Sequence, residues 1–99
     1  MFGVFNLAGQ WFAAMDSGVE QDLSFNEAVS FQVSCQGQAE IDYFWEKLAH
    51  DPIFNQCGWC KDQFGLSWQI VPANMGELME KPGAFARLME MKKIVIADF

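Results

Sequence analysis

The first half of the chain is almost without positive charge. Residues 1–50 hold seven acids (Asp16, Glu20, Asp22, Glu27, Glu40, Asp42, Glu46) against one base, Lys47, and the 99 residues together carry 13 acids to 6 bases, a net −7. A surface of this sign repels phosphate backbones and anionic lipid, which excludes nucleic acid and a membrane surface as partners. The same scarcity removes an export signal. Met1–Met15 is apolar, but it has no Lys or Arg to make a positive n-region. Asn6 and Gln10 break the run well short of the roughly 20 apolar residues that span a membrane. The expectation is a soluble, cytoplasmic protein.

Ligating and nucleophilic side chains are also few. There is one histidine, His50, and there are three cysteines, Cys35, Cys57 and Cys60. An odd count without an export signal reads as reduced thiols. Cys57-Gly58-Trp59-Cys60 has C-x-x-C spacing, but a redox pair belongs at a helix N-terminus, where the thiol pKa falls. Here the turn residues Asp62–Gly65 follow, and then the strand-like Ser67–Val71, so the context is a hairpin. A zinc site would need two more ligands from Cys35 and His50 alone. The pair reads as incidental, and His50 as a charge suited to a helix C-terminus. No phosphate loop, dinucleotide glycine motif, zinc-protease helix or nucleophile elbow occurs.

Aromatic and apolar side chains, by contrast, are abundant. Ten Phe and four Trp contribute to an aromatic share of 15%, within a hydrophobic share of 52%. Such a chain is not disordered. Its length allows one small domain that buries about two thirds of its surface, which leaves some of the aromatic load for an interface.

The hydrophobic period changes along the chain. Phe2–Leu7 and Trp11–Met15 flank Ala8-Gly9-Gln10, a hairpin pattern, and Asp16–Ser24 is a polar connection. Ala28–Ser34 alternates, with Val29, Phe31 and Val33 on one face and Ser30, Gln32 and Ser34 on the other. In Gln38–His50, Ile41, Phe44, Trp45 and Leu48 share one helical stripe, and Asp51-Pro52 ends it. Cys57–Lys61 and Leu66–Val71 read as a second hairpin. Met75–Glu80 predicts one helical turn, and Pro82 a first helical position before the stripe Phe85, Leu88, Met89. Ile94–Ile96 is a tail strand or docked end. Met75, Met79, Met89 and Met91 read as core filler. The predicted order is β-β-β-α-β-β-α, an α+β chain.

Particular words in this order resemble a known family. Phe25-Asn26-Glu27-Ala28-Val29-Ser30-Phe31-Gln32-Val33, Cys35, Glu40-Ile41-Asp42 and Trp45 with Leu48 are similar to the PhnB-like family. So are Gln56-Cys57-Gly58-Trp59, Lys61-Asp62, Phe64 to Pro72 (FGLSWQIVP), Met91-Lys92-Lys93-Ile94 and Ile96-Ala97. The resemblance places the chain in the glyoxalase/bleomycin resistance/dioxygenase, or vicinal oxygen chelate, superfamily. It implies a βαβββ module with a preceding β-hairpin and a mixed, curved sheet, whose concave face holds a ligand or metal. On this reading 1–16 is the hairpin that ends a first module, 24–72 is the βαββ core of the second and 73–99 is a helical C-terminal segment. The opening strand, helix and next strand of the first module have no counterpart here. The family commonly has an apolar residue where Cys60 stands.

Superfamily enzymes place a His and a Glu at two facing strand positions. The resemblance puts Ser30 and Gln69 there, and a hydroxyl and a neutral amide are poor ligands for a divalent ion; Trp11–Met15 offers none. The expectation is therefore no metal and no cofactor, with Ser30, Gln32 and Gln69 lining the pocket of a small-molecule-binding module. The family also carries a 3-demethylubiquinone methyltransferase label, yet no glycine-rich turn follows a strand here to hold S-adenosylmethionine. Two alternatives stay open: a metal-dependent isomerase, lyase or dioxygenase completed by a partner chain, and a structural fragment of a longer relative. A half cup with an apolar hairpin calls for a homodimer, or for a heterodimer with a separately encoded first half.

Overall fold

In a computed structural model of the chain, residues 2–7, 9–20 and 22–99 are described; Met1, Ala8 and Gln21, which fall in the predicted first run, hairpin loop and connection, lie outside them. β1 (Phe2–Leu7) and β2 (Gln10–Met15) form an antiparallel pair, with Phe5 opposite Phe12. Gly9 closes the turn at φ 83, and its N–H donates to Asn6 Oδ1 at 3.0 Å.

The second sheet contains β3 (Ser30–Cys35), β4 (Trp59–Lys61) and β5 (Ser67–Pro72) in the order β3-β5-β4. β5 is parallel to β3 and antiparallel to β4. A parallel neighbour requires a crossover, and α1 (Gln38–Leu48) provides it. Like side chains meet in this register: Phe31 lies beside Trp68 and Val33 beside Ile70, while Ser30 lies beside Ser67 and Gln32 beside Gln69. The apolar face is buried under α1, where Ile41 and the flanking Phe44, Trp45 and Leu48 join Cys35, Cys60, Trp68 and Ile70. Ile41, Ile70 and Ile94 are 0% exposed; burying each contributes about 1.5–3 kcal/mol.

The C-terminal segment completes this core. α2 (Met75–Leu78) and α3 (Ala84–Glu90) lead to Ile94, followed by a 3₁₀ turn at Ile96–Asp98. The Gln38 side chain clamps the segment: its Nε2 donates to the Ile94 carbonyl at 3.0 Å and its Oε1 accepts from the Ile96 N–H at 2.8 Å. Lys93 pairs with Asp42 at 2.8 Å, which with Gln38 holds that carboxyl below the ordinary carboxylate range. The Cys57 and Gly58 N–H groups donate to the Met91 and Lys92 carbonyls, both at 2.8 Å.

Several boundaries differ from the sequence reading. The strand expected from Cys57 begins at Trp59, because Cys57 (φ 53) and Gly58 (φ 86) turn the chain. Between α1 and β4 the chain forms a 3₁₀ turn (Pro52–Phe54) and a single bridge, Gln56 to Trp59, so the described sheet has three strands. Pro82 precedes α3 by two residues, since Gly83, at φ 76, still belongs to the turn. Ile94–Ile96 docks without pairing as a strand. Met91 is buried, whereas Met89 is 49% exposed. No described helix is long and apolar enough to cross a membrane.

The molecule is drawn out, 52 × 28 × 20 Å, with a radius of gyration of 15.5 Å against about 12.6 Å for a compact chain of this length. Its accessible surface is 7131 Å², about 1,400 Å² above the expectation for its mass.

Gly58→Ala is expected to destabilise the fold by about 1 kcal/mol or more, since its φ is left-handed and a Cβ would lie 2.8 Å from Ile94 Cδ1 and 3.1 Å from the Ile70 carbonyl. Urea denaturation checks this, and an unchanged midpoint would contradict it. The buried thiols of Cys35 and Cys60 are pushed from 9.0 to about 11, first by burial and then by the nearby Glu40 and Asp62 charges. On the folded protein at pH 8, mass spectrometry should therefore find a thiol reagent on the half-exposed Cys57 alone. Between pH 9 and 11 the native state keeps protons that the unfolded chain has lost, so stability should fall as pH rises across that window.

Candidate functional site

Alternation along three strands assembles the face that α1 leaves uncovered. Ser30 and Gln32 come from β3, Ser67 and Gln69 from β5, and Trp59 and Lys61 from β4. The three candidates read from the sequence are brought together here. Gln69 Nε2 donates to Ser30 Oγ at 2.9 Å. Gln32 stands opposite Gln69 in the ladder, and Trp59 is Gln69's partner on the other side. Ser30 and Gln69 are half-buried and Gln32 is exposed.

Lys61 and Ser67 are not among the pocket candidates read from the sequence. They are ladder partners. Ser67 is 1% exposed, and its hydroxyl has no hydrogen-bond partner. Lys61, with a side chain 16% exposed, pairs with the Glu27 carboxylate, and its ammonium lies 4.3 Å from the centre of the Phe54 ring. The hydrogen bond from Lys61 holds the Glu27 carboxyl below its ordinary range. Alternation about the inward-facing Cys60 was the available signal for Lys61. Its pairing with a residue 34 positions away in sequence needs the folded chain.

The hairpin leans on the edge of this sheet through aromatic rings. Phe5 stacks on Phe12 at 5.5 Å, Phe12 meets Phe31 at 5.4 Å, and Phe31 meets Trp68 edge-on at 5.3 Å. The line ends at Asp62, whose Oδ2 accepts from the Trp68 indole N–H at 2.9 Å. On the other face of the hairpin, Phe2, Val4, Trp11 and Met15 are 65% to 76% exposed. A cleft of about 340 Å³ separates the hairpin from β3, lined by Leu7, Gln10, Phe12 and Gln32 among others. Gln32 is the one of the three candidates on that cleft.

The donor set does not fit a divalent cation. Ser30 and Gln69 are neutral and bonded to each other, and the Glu27 carboxylate that reaches this face is paired with Lys61. Among the described residues, no three His, Cys, Asp or Glu side chains are grouped to hold a metal.

A mixed βαββ sheet covered on one face by its crossover helix α1 defines an α+β, glyoxalase-like module. A family model described as 3-demethylubiquinone-9 3-methyltransferase matches residues 1–71, and the chain belongs to this PhnB-like family. It is similar to a solved structure of a Bacillus cereus PhnB protein that carries the same label, at 32% identity and a TM-score of 0.65. The match covers 74% of this chain and 64% of that one, so this chain spans less than two thirds of its neighbour's length. No curated protein matches.

Proposed function

We propose that the chain is a metal-independent small-molecule-binding module of the vicinal oxygen chelate superfamily, holding its ligand on the open face of the β3-β5-β4 sheet. The observation that carries this reading is the strip formed by Ser30, Gln32 and Gln69. Neutral donors and acceptors share one face there, beside Trp59 and the cleft under the hairpin. Few polar groups amid apolar walls suit a small, partly aromatic ligand.

Methyl transfer, the activity in the family's label, finds little support in these residues. A strand-to-helix turn holding S-adenosylmethionine would be rich in glycine and leave the helix N-terminus free. The β3–α1 turn has the single glycine Gly37, and Gln38, in the first turn of α1, is engaged by the chain's own Ile94 and Ile96. The second reading, a metal-dependent isomerase, lyase or dioxygenase, would need ligands from another chain, since no three His, Cys, Asp or Glu side chains are grouped among the described residues.

The ranges 1–16, 24–72 and 73–99 act in this reading as one cytoplasmic unit completed by a second copy. The excess surface of about 1,400 Å² exceeds the roughly 800 Å² that each partner buries in a stable complex. The bare hairpin face supplies four large apolar side chains for it. A separately encoded first half would cover the same face.

Screening chelator-treated protein by thermal shift is expected to find small aromatic amides or acids that raise the melting temperature, with Gln32→Ala and Gln69→Ala each removing at least half the shift. Binding that appears only after zinc, iron, manganese or nickel is added would overturn the reading. Sedimentation equilibrium at micromolar concentration should give twice the chain mass, and Trp11→Glu should return it to one; a well-folded monomer of the unaltered chain would end the homodimer proposal.

A further inference from the structure

We infer that Lys61 and Ser67 form an anion subsite on this face, which receives a carboxylate of the ligand and which Glu27 occupies when no ligand is bound. The inference rests on the ligand-face reading above and names the chemistry of one end of that ligand. Lys61 is the charged residue of the three strands; every other residue of β3, β4 and β5 is neutral. It faces Ser67 directly across the ladder, and Ser67 faces Ser30 on its other side. The subsite is thus continuous with the Ser30–Gln69 pair.

Two independent observations point to a missing partner. The Ser67 hydroxyl is buried without a hydrogen bond, although buried polar groups are nearly always satisfied. Next to it, the Lys61 ammonium already holds a carboxylate, but one borrowed from the segment that leads into β3. The Glu27 side chain is 62% exposed. An ion pair with such a solvated partner is weak, and rotation of one side chain releases it. A ligand carboxylate that replaced Glu27 would take the same charge-assisted hydrogen bonds from Lys61 and accept a further one from Ser67. One ammonium and one hydroxyl match a single negative charge, and a chain of net −7 disfavours a dianion such as phosphate.

Benzoate and its neutral analogue benzamide, titrated into the ¹⁵N-labelled full chain and followed by NMR, test this. Benzoate should shift the backbone amides of Lys61 and Ser67 and the Gln69 side-chain amide. Glu27→Gln, which removes the internal carboxylate at an exposed position, should raise benzoate affinity at least threefold. Lys61→Gln should lower it at least tenfold, and benzamide should respond to neither change. Equal responses of benzoate and benzamide, or benzoate affinity unchanged by Glu27→Gln, would overturn the subsite while leaving the ligand face standing. If neither compound shifted that face in either protein, both proposals would fall. Should Lys61→Gln fail to fold, the Glu27→Gln and benzamide comparison decides alone.

Discussion

β5 is hydrogen-bonded on both sides, parallel to β3 and antiparallel to β4, and the rest of the molecule follows from that position. The parallel side cannot be joined by a tight turn, so the chain must cross over one face of the sheet, and α1 covers that face. Ile70, in the middle of β5, is then enclosed by the helix in front and by Ile94 behind the turn at Gly58. The opposite face receives no helix. Most of its residues, Trp59 and Val71 apart, are polar for the same reason that Ile70 is apolar, since strand side chains alternate and only one set meets the core.

The C-terminal segment belongs to this core as firmly as the strands do. It has no regular pairing of its own. Instead it borrows hydrogen bonds from the Gln38 amide and from the backbone of the turn at Cys57-Gly58. Cys57 sits where the chain reverses, half-exposed, and Cys60 points into the core. The two sulfurs have different surroundings.

The hairpin poses the opposite case, an element with good local structure and too little to pack against. One face reaches the core through the line of rings from Phe5 to Trp68. The other leaves Phe2, Val4, Trp11 and Met15 in water. This bare apolar face is what the proposed second copy would cover. In the proposed reading a second chain and a ligand would meet at the hairpin, which also borders the cleft that Gln32 lines.

Sequence by itself was enough for the elements whose period is strong: the two hairpins, the alternating β3, and α1 with its stripe of Ile41, Phe44, Trp45 and Leu48. Family wording set the order of these elements into a glyoxalase-like module, and strand alternation put Ser30, Gln32 and Gln69 on one face. Those signals are local, each carried by residues a few positions apart. What only the tertiary structure decided is long-range. Gln38 grips Ile94 and Ile96 from more than 50 residues away, and Glu27, from the segment leading into β3, reaches Lys61 on β4 although β5 lies between those strands. The positive φ of Cys57 shortens β4, because the turn must present its N–H groups to Met91 and Lys92. A hydroxyl such as that of Ser67 looks like any serine in the sequence; it is distinguished only by burial without a partner, which no local pattern encodes.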